Sequence, residues 1–194
     1  MILLGLTGGI GMGKSTVAKM FASHGIPSFN ADAAVHKLQA PNGRAIPTLD
    51  AAFPGVVHDG VLDRAALRAR VLTNNAEMKK LEAIIHPMVR DMEAEFMATA
   101  RQESRQAVLL DIPLLFEGGG ESRVSKTIVV SCPRALQIQR VLARGLPLAD
   151  IESIIARQMP DAEKRHRADY IVDTSGTLED TAFQVAHIIK ELKI

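Results

Sequence analysis

The chain has 194 residues, of which 47% are hydrophobic and 23% charged, and its 23 Lys+Arg against 22 Asp+Glu give a net charge of +1. A folded domain of this length buries about 70% of the surface of its unfolded chain, and this composition excludes a disordered, collagen-like or coiled-coil protein. The small net charge supplies no general attraction to nucleic acid or to an acidic membrane, so an anionic ligand needs a local site.

Cysteine usage and the N-terminal segment favour a cytoplasmic protein. Cys132 is the only cysteine, so no disulfide forms within the chain, and the six histidines show none of the spacings of a zinc site. The first apolar run stops at glycines after about six residues, and no run of eighteen apolar residues follows. We expect neither nucleic acid nor a membrane as a partner. The sequence leaves the oligomeric state open, and we favour a monomer.

Five short apolar runs bounded by turn residues predict β-strands, at 2–6, 26–29, 108–112, 127–130 and 170–172. The intervals between them carry helical spacing, and this alternation is typical of a parallel sheet flanked by helices. The runs are almost continuously apolar, as expected for strands that are covered on both faces. We predict a single α/β domain over 1–194, with residues 3–6 in its central strand.

Two longer intervals carry helical patterns of their own. The interval 63–105 repeats apolar residues at helical spacing with charged residues between them, which predicts an insertion of two or more helices. The interval 134–167 combines helical spacing with many basic residues, which predicts a mobile lid.

Residues 5–16 read GLTGGIGMGKST and satisfy the pattern GxxxxGK[ST], directly after a predicted strand and before a predicted helix. Such a loop directs main-chain N–H groups at a phosphate, at the positive end of the following helix. Lys14 would reach the β- and γ-phosphates of a nucleotide, and the Ser15 hydroxyl would ligate Mg²⁺. Met12 interrupts the pattern of small and polar residues without loss of a phosphate contact, because the main chain makes the contact there.

A phosphate loop alone is compatible with a GTPase, an ATP-driven motor, a nucleotide kinase or a non-catalytic binding module. The guanine-reading pattern NKxD is absent, and the DxxG match at 173–176 follows the last predicted strand instead of lying in a switch position. A small domain with a helical insertion and a basic lid favours a kinase of small molecules.

Several segments together resemble the dephospho-CoA kinase family, and the resemblance covers nearly the whole chain. The segments are GLTGGIGMGKST at 5–16, NAD at 30–32, LEAIIHPMV at 81–89, DIPLLFE at 111–117, RQ at 157–158 and ADYIVDTSG at 168–176. The resemblance implies a P-loop kinase fold with a five-stranded parallel sheet, an acceptor-binding insertion at 63–105 and a helical lid at 134–167.

The same resemblance implies an activity and its substrates. The family transfers phosphate from ATP, with Mg²⁺, to the ribose 3′-hydroxyl of dephospho-CoA, the last step of coenzyme A biosynthesis. This chain departs from the family pattern at Met12, where Ser is usual, and at Asn30, where Asp is common. A nucleoside-monophosphate kinase is the alternative, but its acceptor is a phosphate, whereas a carboxylate at Asp32 suits a hydroxyl.

Two aspartates follow predicted strands at the edge of the sheet where ligands collect. Asp32 follows the second strand, and the family's proposed general base falls on this position; the alternative is that Asp32 only caps the next helix. Asp111 ends the third strand, where P-loop enzymes place an acidic residue near Mg²⁺. The alternative for Asp111 is a hydrogen bond within the loop.

Arg140 and Arg144 lie four residues apart on one face of a predicted helix, 133–144, together with Gln137. Both arginines could close on ATP phosphates and offset charge in the transition state, and the alternative is a solvated basic face. The resemblance favours the phosphate role for Arg140, and Arg157 is a further candidate. The basic residues at 164, 165 and 167 are interpreted as solvated.

Pro87 disfavours helical geometry at His86, which predicts that a helix ends at residue 85. The resemblance places this turn, with Pro113 and Leu114, around the acceptor; the alternatives are a local cap for His86 and plain core for the apolar run. The complete set of candidates has four roles. Catalytic residues are Asp32, Lys14 and Arg140, ATP-binding residues are Gly11, Met12, Gly13, Lys14, Ser15, Thr16, Arg144 and Arg157, acceptor-binding residues are Asp32, His86, Pro113 and Leu114, and metal ligands are Ser15 and Asp111.

Overall fold

The computed structural model describes residues 1–194 and contains two compact units, one joining Met1–Phe29 with Ala100–Ile194 and the other comprising Asn30–Thr99. The strands are β1 (Ile2–Thr7), β2 (Ser28–Asn30), β3 (Val57–His58), β4 (Val61–Leu62), β5 (Ala107–Asp111), β6 (Lys126–Ser131) and β7 (Tyr170–Asp173). The helices are α1 (Lys14–Ser23), α2 (Ala31–Leu38), α3 (Ile46–Ala52), α4 (Arg64–Leu72), α5 (Asn75–Gln102), α6 (Arg134–Leu142), α7 (Leu148–Ala156), α8 (Asp161–Arg167) and α9 (Leu178–Leu192), with a 3₁₀ turn at Gly120–Arg123.

The first unit is built on a five-stranded sheet in the order β2-β5-β1-β6-β7. Strand β1 pairs in parallel with β5 on one side and with β6 on the other, and β6 pairs in parallel with β7. The predicted α/β fold is therefore confirmed, including the central position of the first strand. Parallel pairing brings the carboxyl ends of these strands to one edge, where Leu6 lies opposite Asp111 and Thr7 opposite Val129.

The strands are apolar along their length because both faces of the sheet are covered. All five residues of β5 are buried, as are the last four of β1. Leu4 and Leu6 belong to a core cluster that also contains Val17 and Phe21 of α1. Burial of each such side chain contributes about 1.5–3 kcal/mol. This packing fixes α1 to the sheet and thereby fixes the loop between β1 and α1.

The second unit contains α2, α3, α4, most of α5 and the antiparallel hairpin β3-β4. Its own core includes Leu49 and Phe53, which are fully buried, together with Leu67 of α4 and Ile85 of α5. Helices α4 and α5 fall in the interval 63–105, and α6 to α8 fall in the interval 134–167. The functional roles of these intervals as acceptor-binding insertion and lid stay predictions.

Helix α5 corrects one prediction from the sequence. A helix end at residue 85 is wrong, because α5 continues through Pro87 in its interior and leaves His86 exposed in mid-helix. Apolar side chains of α5, among them Ile84 and Met88, pack against the core of the second unit. Burial along several turns outweighs the loss of about 3 kcal/mol that an interior proline causes.

None of the helices, α5 included, combines the length and apolar character that crossing a lipid bilayer requires.

Replacement of Pro87 by Ala is expected to raise the free energy of unfolding by up to about 3 kcal/mol, because a helical N–H is restored and a ring clash is removed. Pro87 is exposed, so the change removes no core contact. Urea denaturation measures the effect, and Arg90→Ala, also exposed on α5, is the control that should change stability by less than about 0.5 kcal/mol. A less stable Pro87→Ala variant would mean that the second unit needs the proline to set the helix path.

Candidate active site

The phosphate loop lies between the end of β1 and the start of α1, at the carboxyl edge of the sheet. Two of its glycines, Gly8 and Gly11, lie too close to neighbouring atoms to carry side chains. A Cβ at Gly8, where φ is +150°, would lie 2.4 Å from the carbonyl oxygen of Val130. A Cβ at Gly11, where φ is +76°, would lie 2.5 Å from Val141 of α6. The loop conformation therefore requires glycine for both backbone and packing reasons.

Main-chain amides of this loop are available to a ligand. The N–H groups of Gly11, Gly13, Lys14 and Ser15 donate no hydrogen bond within the chain. By contrast, the amide of Met12 donates to the Gly9 carbonyl oxygen at 3.3 Å, and the amide of Thr16 donates to the Gly13 carbonyl oxygen at 3.0 Å. Unpaired amides at a glycine loop and a helix N-terminus form an anion-binding concavity.

Two side chains at the start of α1 add to this concavity. Lys14 is the first residue of the helix and is partly exposed, and its ammonium group forms no ion pair within the chain. The Ser15 hydroxyl is exposed at the next position. A phosphate held by the amides would thus meet a positive charge and a hydroxyl ligand for a metal ion.

Met12 does more than replace a small residue. Its side chain is 3% exposed and belongs to the core cluster beneath the sheet edge, where its sulfur lies 3.2 Å from the amide nitrogen and 3.4 Å from Sγ of Cys132. Burial raises the pKa of the Cys132 thiol, which therefore stays protonated and acts as an apolar packing group. Sequence reasoning missed this role, although an apolar residue among polar and glycine positions was the available signal.

Arg140 binds the loop that follows β7. Its Nη1 donates to Oγ1 of Thr174 at 2.8 Å and its Nη2 donates to the Thr174 carbonyl oxygen at 2.6 Å, while Thr174 Oγ1 donates to the Met12 carbonyl oxygen at 2.8 Å. The guanidinium group is therefore held in place beside the phosphate loop. This pairing was not predicted, because Arg140 and Thr174 lie far apart in the sequence.

A cavity of about 380 Å³ opens beside the phosphate loop. It brings together two predicted lid arginines, two loop glycines and the segment after β7. Its lining comprises Gly11, Gly13, Thr16, Arg140, Arg144, Thr174, Gly176, Leu178 and Thr181. Arg157 does not line this cavity and lies exposed at the C-terminal end of α7.

Asp111 ends β5 with a side chain that is 3% exposed, and it is the residue opposite Leu6 of β1. Two residues later, the Pro113 carbonyl oxygen accepts a hydrogen bond of 3.0 Å from Oγ1 of Thr7. This bond ties the segment after β5 to the end of β1. Leu114 is 49% exposed, so it is not part of the core.

In the second unit, the structure resolves the question of the α2 cap. The side chain of Asn30 accepts a hydrogen bond of 2.7 Å from the amide of Ala33, so Asn30 is the capping residue and Asp32 is not. The departure from the family's Asp therefore keeps a good capping group. Asp32 lies in the first turn, exposed, and its carboxylate makes no hydrogen bond or ion pair within the chain. The carboxylate is therefore open to solvent.

The residues predicted to bind a metal have suitable chemistry. A Ser15 hydroxyl and an Asp111 carboxylate are hard oxygen donors, the type that Mg²⁺ prefers. The structure contains no cluster of three or more His, Cys, Asp or Glu side chains that could hold a metal alone.

Helix α8 corrects the interpretation of Lys164 as solvated, whereas Arg165 and Arg167 are exposed. Lys164 is 1% exposed, and its Nζ lies 2.8 Å from Oε1 of Glu117 in the segment after β5. Arg167 pairs with Glu121 and lies 4.7 Å from the ring centroid of Phe116. The prediction failed because the sequence does not reveal that the loop after β5 packs against this short helix.

The ion pair of Glu117 also fixes the segment that precedes α8. Oε1 of Glu117 accepts a second hydrogen bond, of 2.9 Å, from the amide of Met159. Burial raises the pKa of Glu117, but the hydrogen bonds from Lys164 and Met159 outweigh it and hold the pKa below its usual value. Glu117 is therefore charged at neutral pH and forms an ion pair with the buried side chain of Lys164.

Replacement of Glu117 by Gln is expected to destabilise the protein by about 2 kcal/mol at pH 7, because a buried ammonium loses its partner. A carboxyl whose pKa is lowered by folding contributes stability above its unfolded pKa, and this contribution disappears as pH falls through the folded pKa. The deficit of Glu117→Gln should thus shrink below about pH 4. Thermal unfolding across pH measures it, and the double variant with Lys164→Met should recover stability. An unchanged melting temperature at pH 7 would contradict the pairing.

Comparisons with known proteins identify the family of this chain. The family model described as Dephospho-CoA kinase matches residues 2–180. A dephospho-CoA kinase of Bradyrhizobium diazoefficiens is 53% identical over 193 residues, which cover 99% of this chain and 96% of that protein. A crystal structure from Thermus thermophilus has a TM-score of 0.88 at 37% identity and covers 98% of this chain and 97% of its own. The structure of dephospho-CoA kinase from Campylobacter jejuni has a TM-score of 0.71 at 27% identity, and the match covers 98% of this chain and 96% of that one. The chain therefore belongs to the dephospho-CoA kinase family.

Proposed function

We propose that this protein transfers the γ-phosphoryl group of ATP to the ribose 3′-hydroxyl of dephospho-CoA, giving coenzyme A and ADP. The observation that carries this proposal is the set of unpaired amides at Gly11, Gly13, Lys14 and Ser15 in a chain that matches the family over nearly its full length. The amides form a binding site for ATP phosphates, and membership of the family indicates dephospho-CoA as the acceptor.

The nucleotide is bound by the first unit. Phosphates accept hydrogen bonds from the loop amides and lie close to the ammonium group of Lys14, which offsets charge on the transferred group. The nucleoside occupies the 380 Å³ cavity, where Arg140 and Arg144 line one side and the loop after β7 lines another. Arg140 is already held by Thr174, so it meets the phosphates without being reordered.

Mg²⁺ would be held by the Ser15 hydroxyl and the Asp111 carboxylate, and when bound it neutralises charge on the β- and γ-phosphates. The hydroxyl of Ser15 is exposed, as a ligand for a nucleotide-bound ion needs to be. Asp111 places a carboxyl group at the end of β5, beside the central strand.

Asp32 acts as the general base of the reaction. Phosphoryl transfer to an alcohol requires a carboxylate that accepts the hydroxyl proton, and the Asp32 carboxylate is exposed and unpaired. His86, Pro113 and Leu114 contact the acceptor, and Arg157 contacts ATP. We expect the protein to act in the cytoplasm, because ATP is available there and because its single, buried cysteine suits a reducing compartment. We also expect a monomer.

A coupled ADP-release assay with dephospho-CoA, with AMP and with no acceptor tests the function. Turnover that depends on dephospho-CoA and on Mg²⁺ is the expected result. Turnover with AMP alone would indicate a nucleoside-monophosphate kinase, and ATP binding without turnover on either acceptor would indicate a binding module. Gel filtration with light scattering tests the monomer.

Removal of the positive charge at Lys14 tests the proposed binding of ATP by the phosphate loop. Lys14→Ala is expected to lower kcat at least about 100-fold, because the transition state loses a fixed positive charge. Lys19→Ala, an exposed lysine on the same helix, is the matched control and should retain wild-type turnover. Equal turnover in Lys14→Ala and wild type would remove this lysine from the mechanism.

Replacement of the proposed general base tests how the acceptor hydroxyl is activated. Asp32→Asn is expected to lower kcat about 100- to 10,000-fold while the affinity for ATP stays within about twofold. Asp50→Asn, an exposed aspartate in the same unit, should behave as wild type. Loss of ATP binding in Asp32→Asn would instead assign this residue to folding or metal binding.

A further inference from the structure

The peptide groups on both sides of Ile10 are held by two glutamine side chains from outside the phosphate loop. Nε2 of Gln137, on α6, donates to the Ile10 carbonyl oxygen at 2.9 Å. The Ile10 amide donates to Oε1 of Gln158, which follows α7, at 3.3 Å. We propose that Gln137 and Gln158 are positioning residues that orient the phosphate loop for ATP, which rests on the proposed kinase function.

These two bonds fix two successive peptide planes of the loop. The Ile10 carbonyl and the Gly11 amide belong to one planar trans peptide, in which the C=O and N–H bonds point in opposite directions. The bond from Gln137 therefore directs the Gly11 N–H, one of the unpaired amides, away from α6. The bond to Gln158 fixes the preceding peptide through its Ile10 N–H.

Gly9 provides the space for both glutamine side chains. A Cβ at this position would lie 3.0 Å from Nε2 of Gln137 and 3.2 Å from Oε1 of Gln158. Both contacts are tighter than ordinary van der Waals contact, so the two amide groups converge directly over Gly9. The absence of a side chain at Gly9 therefore serves the glutamines as well as the phosphate loop.

Each glutamine is itself held by its surroundings. Gln137 is 4% exposed within α6, the helix that also carries Arg140. Gln158 precedes Met159, whose amide donates to Glu117. The phosphate loop is thus connected through Gln158 to the segment between α7 and α8, within the predicted lid, and through Glu117 to the segment after β5. A displacement of either segment would change the hydrogen bond to the Ile10 amide.

The chemistry of the backbone assigns opposite roles to the two side chains. A carbonyl oxygen accepts only, so Gln137 must present its NH₂ group, and an N–H donates only, so Gln158 must present its oxygen. Glutamate keeps the acceptor at position 158 but loses the donor at position 137. The same substitution therefore has different expected effects at the two positions.

Hydrogen exchange of the Ile10 amide, measured by NMR on the ATP-free protein, tests the Gln158 bond without reference to activity. Gln158→Met is expected to accelerate exchange of this amide about tenfold, and Gln158→Glu is expected to keep it near the wild-type rate. Unchanged exchange in Gln158→Met would overturn the assignment of Gln158, whatever the enzyme's acceptor proves to be.

Binding of a non-hydrolysable ATP analogue, followed by calorimetry, tests the effect on the phosphate loop. Gln137→Met and Gln158→Met are each expected to weaken binding about 5- to 10-fold and to raise KM for ATP similarly, with KM for dephospho-CoA unchanged. Gln137→Glu should bind more weakly than Gln137→Met, because a carboxylate then faces the Ile10 carbonyl. Gln139→Met, an exposed glutamine on α6, is the matched control.

Circular dichroism separates loss of positioning from loss of folding. If buried Gln137 proves essential for folding, Gln158→Met still decides the proposal, because Gln158 is only partly buried. Wild-type affinity for the ATP analogue in a folded Gln158→Met variant would overturn the proposal. Such a result would leave the kinase function intact, because the dephospho-CoA assay measures that separately.

Discussion

The phosphate loop is set by close contact with its neighbours, and the rest of the site depends on that contact. Gly8 lies against the Val130 carbonyl and Gly11 lies against α6, so the loop is held without using all of its own amides. Buried main-chain amides are normally paired, and unpaired ones persist only where water or a ligand reaches them. Packing of α1 against the sheet thus serves binding, because it keeps those amides in place before a ligand arrives.

Sequence patterns that span a few residues predicted the strands of the main sheet and the phosphate loop. Continuously apolar runs gave the strands, and the glycine and lysine spacing located the phosphate loop, because both depend on residues within a few positions. Pro87 lies inside a helix against its local preference, because packing of α5 on the core of its unit outweighs that preference. The capping of α2 by Asn30 was also missed, although an Asn just before a helix, whose side-chain oxygen accepts from the amide three residues later, is a recognisable cap.

Contacts between segments distant in sequence were beyond prediction. Lys164 is buried because it meets Glu117, and Arg140 is oriented because it meets Thr174. Neither partner has a pattern in the sequence that identifies the other, and charged residues at helical spacing usually face solvent. The same holds for Gln158, whose side-chain oxygen accepts a hydrogen bond from the Ile10 amide of the phosphate loop. Such contacts join the separate segments of the first unit, and only the three-dimensional arrangement discloses them.

Met12 illustrates how a ligand-binding motif divides the work between backbone and side chain. Its carbonyl oxygen is engaged by Thr174, while its side chain fills space next to Cys132 in the interior. In this chain the Met12 side chain is therefore a packing group of the interior. Protein engineers who wish to stabilise such an enzyme could redesign the side chains of Met12 and Cys132 together as a core pair, because the main chain of Met12 makes its own hydrogen bonds to Gly9 and Thr174.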